Sequence, residues 1–305
     1  MQKVFILLLG FVFCWQEPTA SQAQPPKILE ITYALAYSPN GKILATAGVS
    51  GTVWLHFGSS QQLVRLSQKP IRTLSWISNT TFLAAGDDKI ARVWDITRQK
   101  TRLELRGHQD WIRTSAASTK YLVTGSDDGT ARVWNVNTGK LLRIFKGSHK
   151  ISSLSLHGQL LATTGTSVKL WHIGTGKQIR TLEFAASSLA FSPDGKTLAT
   201  GGIDGTAKLW AVDTGKAARV FRAHTDLIRA LSFSPDGQQL VTGSDDASLS
   251  IWQLKRGTLG QRLRGHLDWV RSVAFSPDGQ TLVSSADDQK IRFWELGINK
   301  AAKKL

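Results

Sequence analysis

The stretch "GHLDWVRSVAFSPDGQTLVSSADDQKIRFWEL", Gly265 to Leu296, is a near copy of "AHTDLIRALSFSPDGQQLVTGSDDASLSIWQL", Ala223 to Leu254, in the same chain. Its turn "SPDG" recurs, ending at Gly195, Gly237 and Gly279, with "SPNG" ending at Gly41. Fifteen residues after each glycine stands the same position, occupied by Trp210, Trp252 and Trp294 and, in the first copy, by His56. Trp54 falls two residues early and is not equivalent to them. Units without the proline turn keep the tryptophan at Trp94, Trp134 and Trp171, so seven anchors follow one another at intervals of 38, 40, 37, 39, 42 and 42 residues.

A period near forty residues indicates units that bury their faces only against neighbouring units. Inside each unit the apolar residues form short runs alternating with period two, as at Val273 and Phe275, and the runs are broken by Gly, Asp, Asn and Ser. No stretch has a convincing helical period. Four short strands per unit and seven units predict an all-β chain, a seven-bladed β-propeller of four-stranded antiparallel blades closed into a ring.

The units resemble those of the WD-repeat family, specifically its bacterial secreted type. "GH" opens units at Gly107 and His108 and at Gly265 and His266, with variants at His149 and His224, and "DDGTARVWNV" and "DGTAKLWAV" end others. The dipeptide that names the family is intact only at Trp94 and Asp95. The resemblance covers Ile28 to Leu296. It implies that the outermost strand of the last blade comes from the amino terminus, and "ILEI", Ile28 to Ile31, is the candidate to pair with the strand containing Trp294.

The resemblance also implies a buried chain of polar groups in each blade: the Trp, a Ser or Thr ten residues earlier, an Asp six earlier, and the His of "GH". Three units carry all four: His108, Thr124, Asp128 and Trp134; His224, Thr242, Asp246 and Trp252; His266, Ser284, Asp288 and Trp294. The unit ending at Trp171 keeps His149 and Thr163 but is two residues short and has no Asp. These His-Asp-Ser/Thr sets are read as structural and not as catalytic triads, because they recur inside blades with the hydroxyl tied to an indole.

Aligning the copies with one another yields a second pattern. The start of each innermost strand holds Tyr33, Arg72, Arg113, Ser152, Ser187, Arg229 and Arg271 in order; the position seven before each anchor holds Val49, Asp87, Asp127, Thr164, Ile203, Asp245 and Asp287. Arg and Asp occur together four times and are absent together three times. Antiparallel pairing puts both positions at one end of the blade, predicting Arg-to-Asp ion pairs around one face. The loops "DWI", "DWV" and "DLI" add Trp111, Trp269 and Leu227 to that face, and Trp and Arg are enriched in interface hot spots. Ser152, Ala185, Ala186 and Ser187 form an uncharged sector, which predicts a partner docked off-centre.

The chain has 305 residues and a formal charge of +16. Fourteen cations, including Arg102, Arg143, Arg180, Lys140, Lys146 and Lys216, fall on or beside the outermost strands, against Glu104 and Glu183. They are read as a basic belt that deters sheet-to-sheet pairing or attracts an anionic polymer or membrane surface. Lys3 precedes an apolar run from Val4 to Trp15, shorter than the roughly 20 residues that span a bilayer, and Ser21 and Ala23 suit a cleavage site. Residues 1–23 are therefore read as a signal peptide, 24–299 as the propeller and 300–305 as a basic tail, with export to the periplasm or medium. Cys14, the only cysteine, lies in the leader, so the mature chain has no thiol.

The reading that follows is a non-enzymatic scaffold engaging a protein or peptide partner through Arg72, Arg113, Trp111, Arg229, Leu227, Arg271, Trp269, Ser152 and Ser187. No cofactor or metal is expected, and a monomer is. Nucleic acid is the weaker partner, since no reading module accompanies the charge. An extracytoplasmic enzyme is the remaining class.

Overall fold

The computed structural model describes residues 30–296 apart from 148 and 223. Their regular structure is all β, with 27 strands. The strands form seven antiparallel sheets, six of four strands and one of three. In chain order they are blades one (32–65), two (71–105), three (112–146), four (154–182), five (186–222), six (228–264) and seven (270–295). The innermost strands pack against one another in sequence, and Val270–Phe275 of blade seven packs back on Thr32–Tyr37 of blade one, which closes the seven-bladed propeller.

The seven anchors share one register. His56 faces Leu44 just as Trp94 faces Phe82, Trp134 faces Leu122 and Trp294 faces Leu282, whereas Trp54 faces Thr46. Second strands are buried on both sides, as in Thr81–Gly86, while outermost strands such as Leu141–Lys146 are buried at only one position. That position carries the contact between blades. Phe145 packs on Trp171 of the next blade with ring centres 5.1 Å apart, and Phe221 stacks on Trp252 at 4.6 Å. At these two seams the aromatic pair supplies apolar area that a four-stranded sheet cannot bury alone, and Val64, Leu105, Leu182 and Leu263 are the buried outer-strand residues of four other blades.

The proline turns seal the opposite end. Ser234 donates to Asp236 at 2.6 Å while Gly237 adopts φ of 69°, a conformation glycine reaches without strain. A Cβ at Gly41 would lie 3.3 Å from Pro277, so the turns of blades one and seven stack directly. The drift from the family dipeptide has a local explanation. Asp95 caps its turn by accepting the Thr97 amide at 3.0 Å, Asn135 accepts the Asn137 amide at 2.9 Å, and His172 Nδ1 accepts the Thr175 amide at 3.1 Å. Any acceptor of that reach satisfies the turn.

One expectation falls largely outside the described residues, and another changes. Of the closing strand expected at Ile28–Ile31, only Glu30 and Ile31 are described, and they bond to blade one: the Ile31 carbonyl accepts the Val49 amide at 3.2 Å and Glu30 accepts the Ser50 amide at 3.1 Å. Ile28 and Leu29, the leader and the basic tail lie outside the described residues.

The belt is also less free than its charge count. Arg143 donates to the Gly174 carbonyl at 3.1 Å and Arg180 to the Val212 carbonyl at 3.3 Å, each from an outermost strand to the outer turn of the next blade. Arg102 makes the same bridge to the Val136 carbonyl at 2.5 Å. These three arginines are inter-blade latches, because the splayed outer turns leave carbonyls that a long donor can reach.

Candidate binding face

The four Arg and Asp pairs lie at one end of the wheel. Arg72 donates through Nε and Nη2 to the two oxygens of Asp87, at 2.8 Å each. Arg113 meets Asp127 at 2.9 and 2.7 Å, Arg271 meets Asp287 at 2.7 and 2.5 Å, and Arg229 meets Asp245 through two bonds. Each carboxylate is held near the end of the second strand by its own amide, as the Asp287 amide donates to the Trp269 carbonyl at 3.0 Å. Blade four carries a neutral equivalent, with Ser152 and Thr164 hydroxyls 3.1 Å apart.

Aromatic rings join these pairs into an arc. The guanidinium carbons of Arg229 and Arg271 lie 4.7 and 5.1 Å from the Trp269 ring, and that of Arg271 lies 5.7 Å from Tyr33. Arg72 continues the series at 4.2 Å from Tyr33 and 5.4 Å from Trp111, whose other neighbour is Arg113 at 4.7 Å. The arc therefore runs unbroken from blade six through seven, one and two to three. Each arginine is fixed twice, by two bonds to a carboxylate and by a ring, and loses little mobility on meeting a partner; the carboxylate uses both oxygens at Arg72, Arg229 and Arg271 and a single one, Asp127 Oδ2, at Arg113. Trp111 and Trp269 still expose 39% and 43% of their surface.

The charges are layered. The arginine side chains are 19% to 29% exposed and the aspartates 5% to 14%. A visitor meets guanidinium edges and indole faces, with the carboxylates beneath them. The burial of the arginines on rings and the bond to Asp87 work against each other at Arg72, and the bond prevails, raising its already high pKa.

Blades four and five interrupt the arc. Ser187 turns inward, its hydroxyl donating to the Ile228 carbonyl at 2.6 Å with the Gly201 carbonyl 3.0 Å away, and Ala186 is buried. Ser152 remains exposed, and Leu227 is half-buried. What the sector presents instead is Ile203, in the position of the missing aspartate and 60% exposed. Ile203 and Tyr33 are the two contributors that sequence reasoning left out of the candidate site. Both stood in the aligned columns, and asking what separates Arg271 from Arg72 around a closed ring would have found Tyr33.

The internal polar chains lie inside the blades. Trp134 Nε1 donates to Thr124 at 3.0 Å, His108 Nε2 lies 2.8 Å from that hydroxyl, and Nδ1 lies 2.8 Å from Asp128. Blade seven repeats this with Trp294 to Ser284 at 2.9 Å, and His266 at 2.8 Å from Ser284 and 2.9 Å from Asp288. Burial lowers the pKa of His108 and His266, against their aspartates, so both rings stay neutral. At Asp128 burial acts upward, but donors from Thr130, the Gln109 amide and His108 outweigh it and hold the carboxyl at about 2.

In blade six the chain is broken. His224 reaches Thr242 at 2.7 Å and Asp246 at 3.0 Å, but Trp252 Nε1 has no partner among the described residues, because its ring stacks on Phe221 while Thr242 turns to the Ser250 carbonyl. In blade four Trp171 donates to Thr163 at 3.0 Å, while His149 is exposed and does not join them.

Six segments, 30–56, 60–95, 99–135, 176–211, 215–253 and 257–295, match the family described as WD domain, G-beta repeat. They make up more than half of the chain, which belongs to that family. The gap at 136–175 contains the shortened unit of Trp171, whose sheet the structure nonetheless places in the ring.

The chain is similar to THO complex subunit 6 of Arabidopsis thaliana, 38% identical over 88 residues, 27% of this chain and 24% of that protein. It is also similar to U3 small nucleolar RNA-associated protein 15 of Schizosaccharomyces pombe, 33% identical over 90 residues, 27% of this chain and 18% of that protein. A third, DENN domain and WD repeat-containing protein SCD1 of Arabidopsis thaliana, is 38% identical over 104 residues, 33% of this chain and 9% of that protein. The matches span a quarter or less of these relatives. Propellers of this family act in general as protein-interaction scaffolds.

Proposed function

We propose that this protein is a non-enzymatic scaffold that engages a protein or peptide partner on the face carrying the Arg and Asp pairs. The observation that carries the reading is the arc from Arg229 through Trp269, Arg271, Tyr33, Arg72 and Trp111 to Arg113, in which side chains from five blades are fixed toward solvent. Preorganised arginine and exposed indole, with carboxylates recessed, suit a segment bearing acidic and planar groups. The small side chains of Ser152, Ala185 and Ser187 beside exposed Ile203 give that segment an uncharged place to continue, which favours docking off-centre.

The internal His, Asp and Ser or Thr sets support a structural role. Their hydroxyls are bonded inside the sheet, as Thr124 is to both His108 and Trp134, leaving no free nucleophile. Among the described residues no group of three or more His, Cys, Asp or Glu is placed to hold a metal. The apolar run Val4 to Trp15 after Lys3 supports an exported protein of the secreted type, working outside the cytoplasm.

Quantitative co-purification tests the partner reading. Wild type should recover an enriched protein that a Trp111→Ala/Trp269→Ala variant and an Arg72, Arg113, Arg229, Arg271→Ser variant both lose. Equal recovery with both variants would remove the face from consideration.

A further inference from the structure

The rim of blades three to five combines two features that rarely share an exposed edge. Leu141, Leu142, Ile144, Ile179 and Val220, on the outermost strands Leu141–Lys146, Gln178–Leu182 and Ala217–Arg222, are 36% to 53% exposed. Among them stand Lys140, Lys146, Lys177, Lys216 and Arg222, all exposed and in no ion pair among the described residues. Only Glu183 and Asp213 oppose them in the same stretches. In blade two Glu104 contacts both Arg92 and Arg106, so part of the charge is opposed there.

The order along each strand is informative. Lys140, Lys177 and Lys216 sit before their strands, at the end away from the arginine arc, and Lys146 and Arg222 close two of them at the other end. A six-residue strand is about 20 Å long. The rim thus carries exposed apolar side chains between terminal cations, with Arg143, Arg180 and Arg219 among them and the first two turned to carbonyls of the next blade; in an amphipathic element of this kind the apolar side chains enter the headgroup layer and the long cationic side chains reach phosphates. A soluble polyanion would match the cations and leave the five apolar side chains in water. Exposed apolar area and unopposed positive charge are satisfied together by an anionic bilayer surface.

We propose that the rim of blades three to five is a peripheral docking surface for anionic membrane, distinct from the partner-binding face. It leaves the arginine arc facing along the membrane plane, accessible to a second protein.

The test places an environment-sensitive fluorophore on single cysteines introduced in the full chain, in a Cys14→Ser background, at Ile144→Cys and Val220→Cys on the rim and at Ile203→Cys on the other face. With vesicles of phosphatidylcholine and phosphatidylglycerol, emission should shift to shorter wavelength at 144 and 220 but not at 203, and pure phosphatidylcholine should shift none. Lys140→Glu/Lys146→Glu/Lys216→Glu should raise the vesicle concentration needed by about tenfold or more; added salt should act in the same direction and needs no charge reversal. An unchanged spectrum at 144 and 220 overturns the proposal. So does an equal shift at 203, which would mean insertion through another part of the chain, or an equal shift with polyphosphate alone, which would mean a polyanion site.

Discussion

Arg72 and Asp87 are joined by two parallel N–H···O bonds of 2.8 Å, with the carboxylate side chain only 8% exposed. This pair belongs neither to the exposed ion pairs that contribute at most about 1 kcal/mol nor to the fully buried ones. Arg72→Ser strands a recessed carboxylate and should lower the unfolding free energy by about 2 to 3 kcal/mol. Adding Asp87→Thr, which copies the Ser152 and Thr164 pair of blade four, should recover more than half of the loss. Urea unfolding of the single and double variants decides it; an additive, larger loss in the double variant would contradict the pairing.

In six of the seven blades the turn before the third strand holds a left-handed residue. Gly51, Gly129 and Gly205 provide it with φ of 74° to 78°, whereas Lys89, Ala247 and Gln289 adopt φ of 67°, 62° and 60°. Ala247→Gly should therefore stabilise the protein by about 0.5 to 1 kcal/mol, and Gly129→Ala should destabilise it by about 1 kcal/mol or more. Thermal or urea unfolding would show the two shifts with opposite sign.

His56 takes the place that six other units give to tryptophan. Its Nε2 lies 3.0 Å from Thr46 Oγ1, its Nδ1 is buried without a partner among the described residues, and burial lowers its pKa to about 4. The folded protein therefore binds the proton less well than the unfolded chain. The His56 contribution is complete above about pH 6.5 and is lost as the pH falls toward about 4, amounting to about 2 kcal/mol after solvent screening. His56→Trp should lose that component, so the stability difference between variant and wild type should grow in the variant's favour between pH 7 and pH 4.5.

The latches separate structural from free charge on the rim. Arg143→Ala removes the bond to the Gly174 carbonyl and should cost about 1 kcal/mol, whereas exposed Lys146→Ala should stay within about 0.5 kcal/mol of wild type. Equal losses from the two would argue that the bridge carries no stability.

The repeat made the wheel legible because every copy repeats the same local physics: turn residues at a fixed distance from an indole, and alternation that buries one position of each outer strand. Even His56 was identifiable, by counting from Gly41 instead of by residue type. The Arg and Asp columns were readable for the same reason, since seven copies in one chain show which residues change together. What escaped was geometry between blades. That Tyr33 bridges two arginines, that Trp252 gives up its hydroxyl to stack on Phe221, and that Arg143 spends its charge on a carbonyl all depend on the angle between neighbouring sheets. No single unit encodes that angle.

The most direct measurement of the central claim is site-specific photo-crosslinking in cells of the source. A photoreactive amino acid replaces Trp269 on the arginine face, and in a second variant Lys196, an exposed turn residue at the opposite end of the wheel. A discrete protein adduct at position 269 and none at 196 is the predicted result. Adducts confined to 196 would place the partner at the other end and contradict the account.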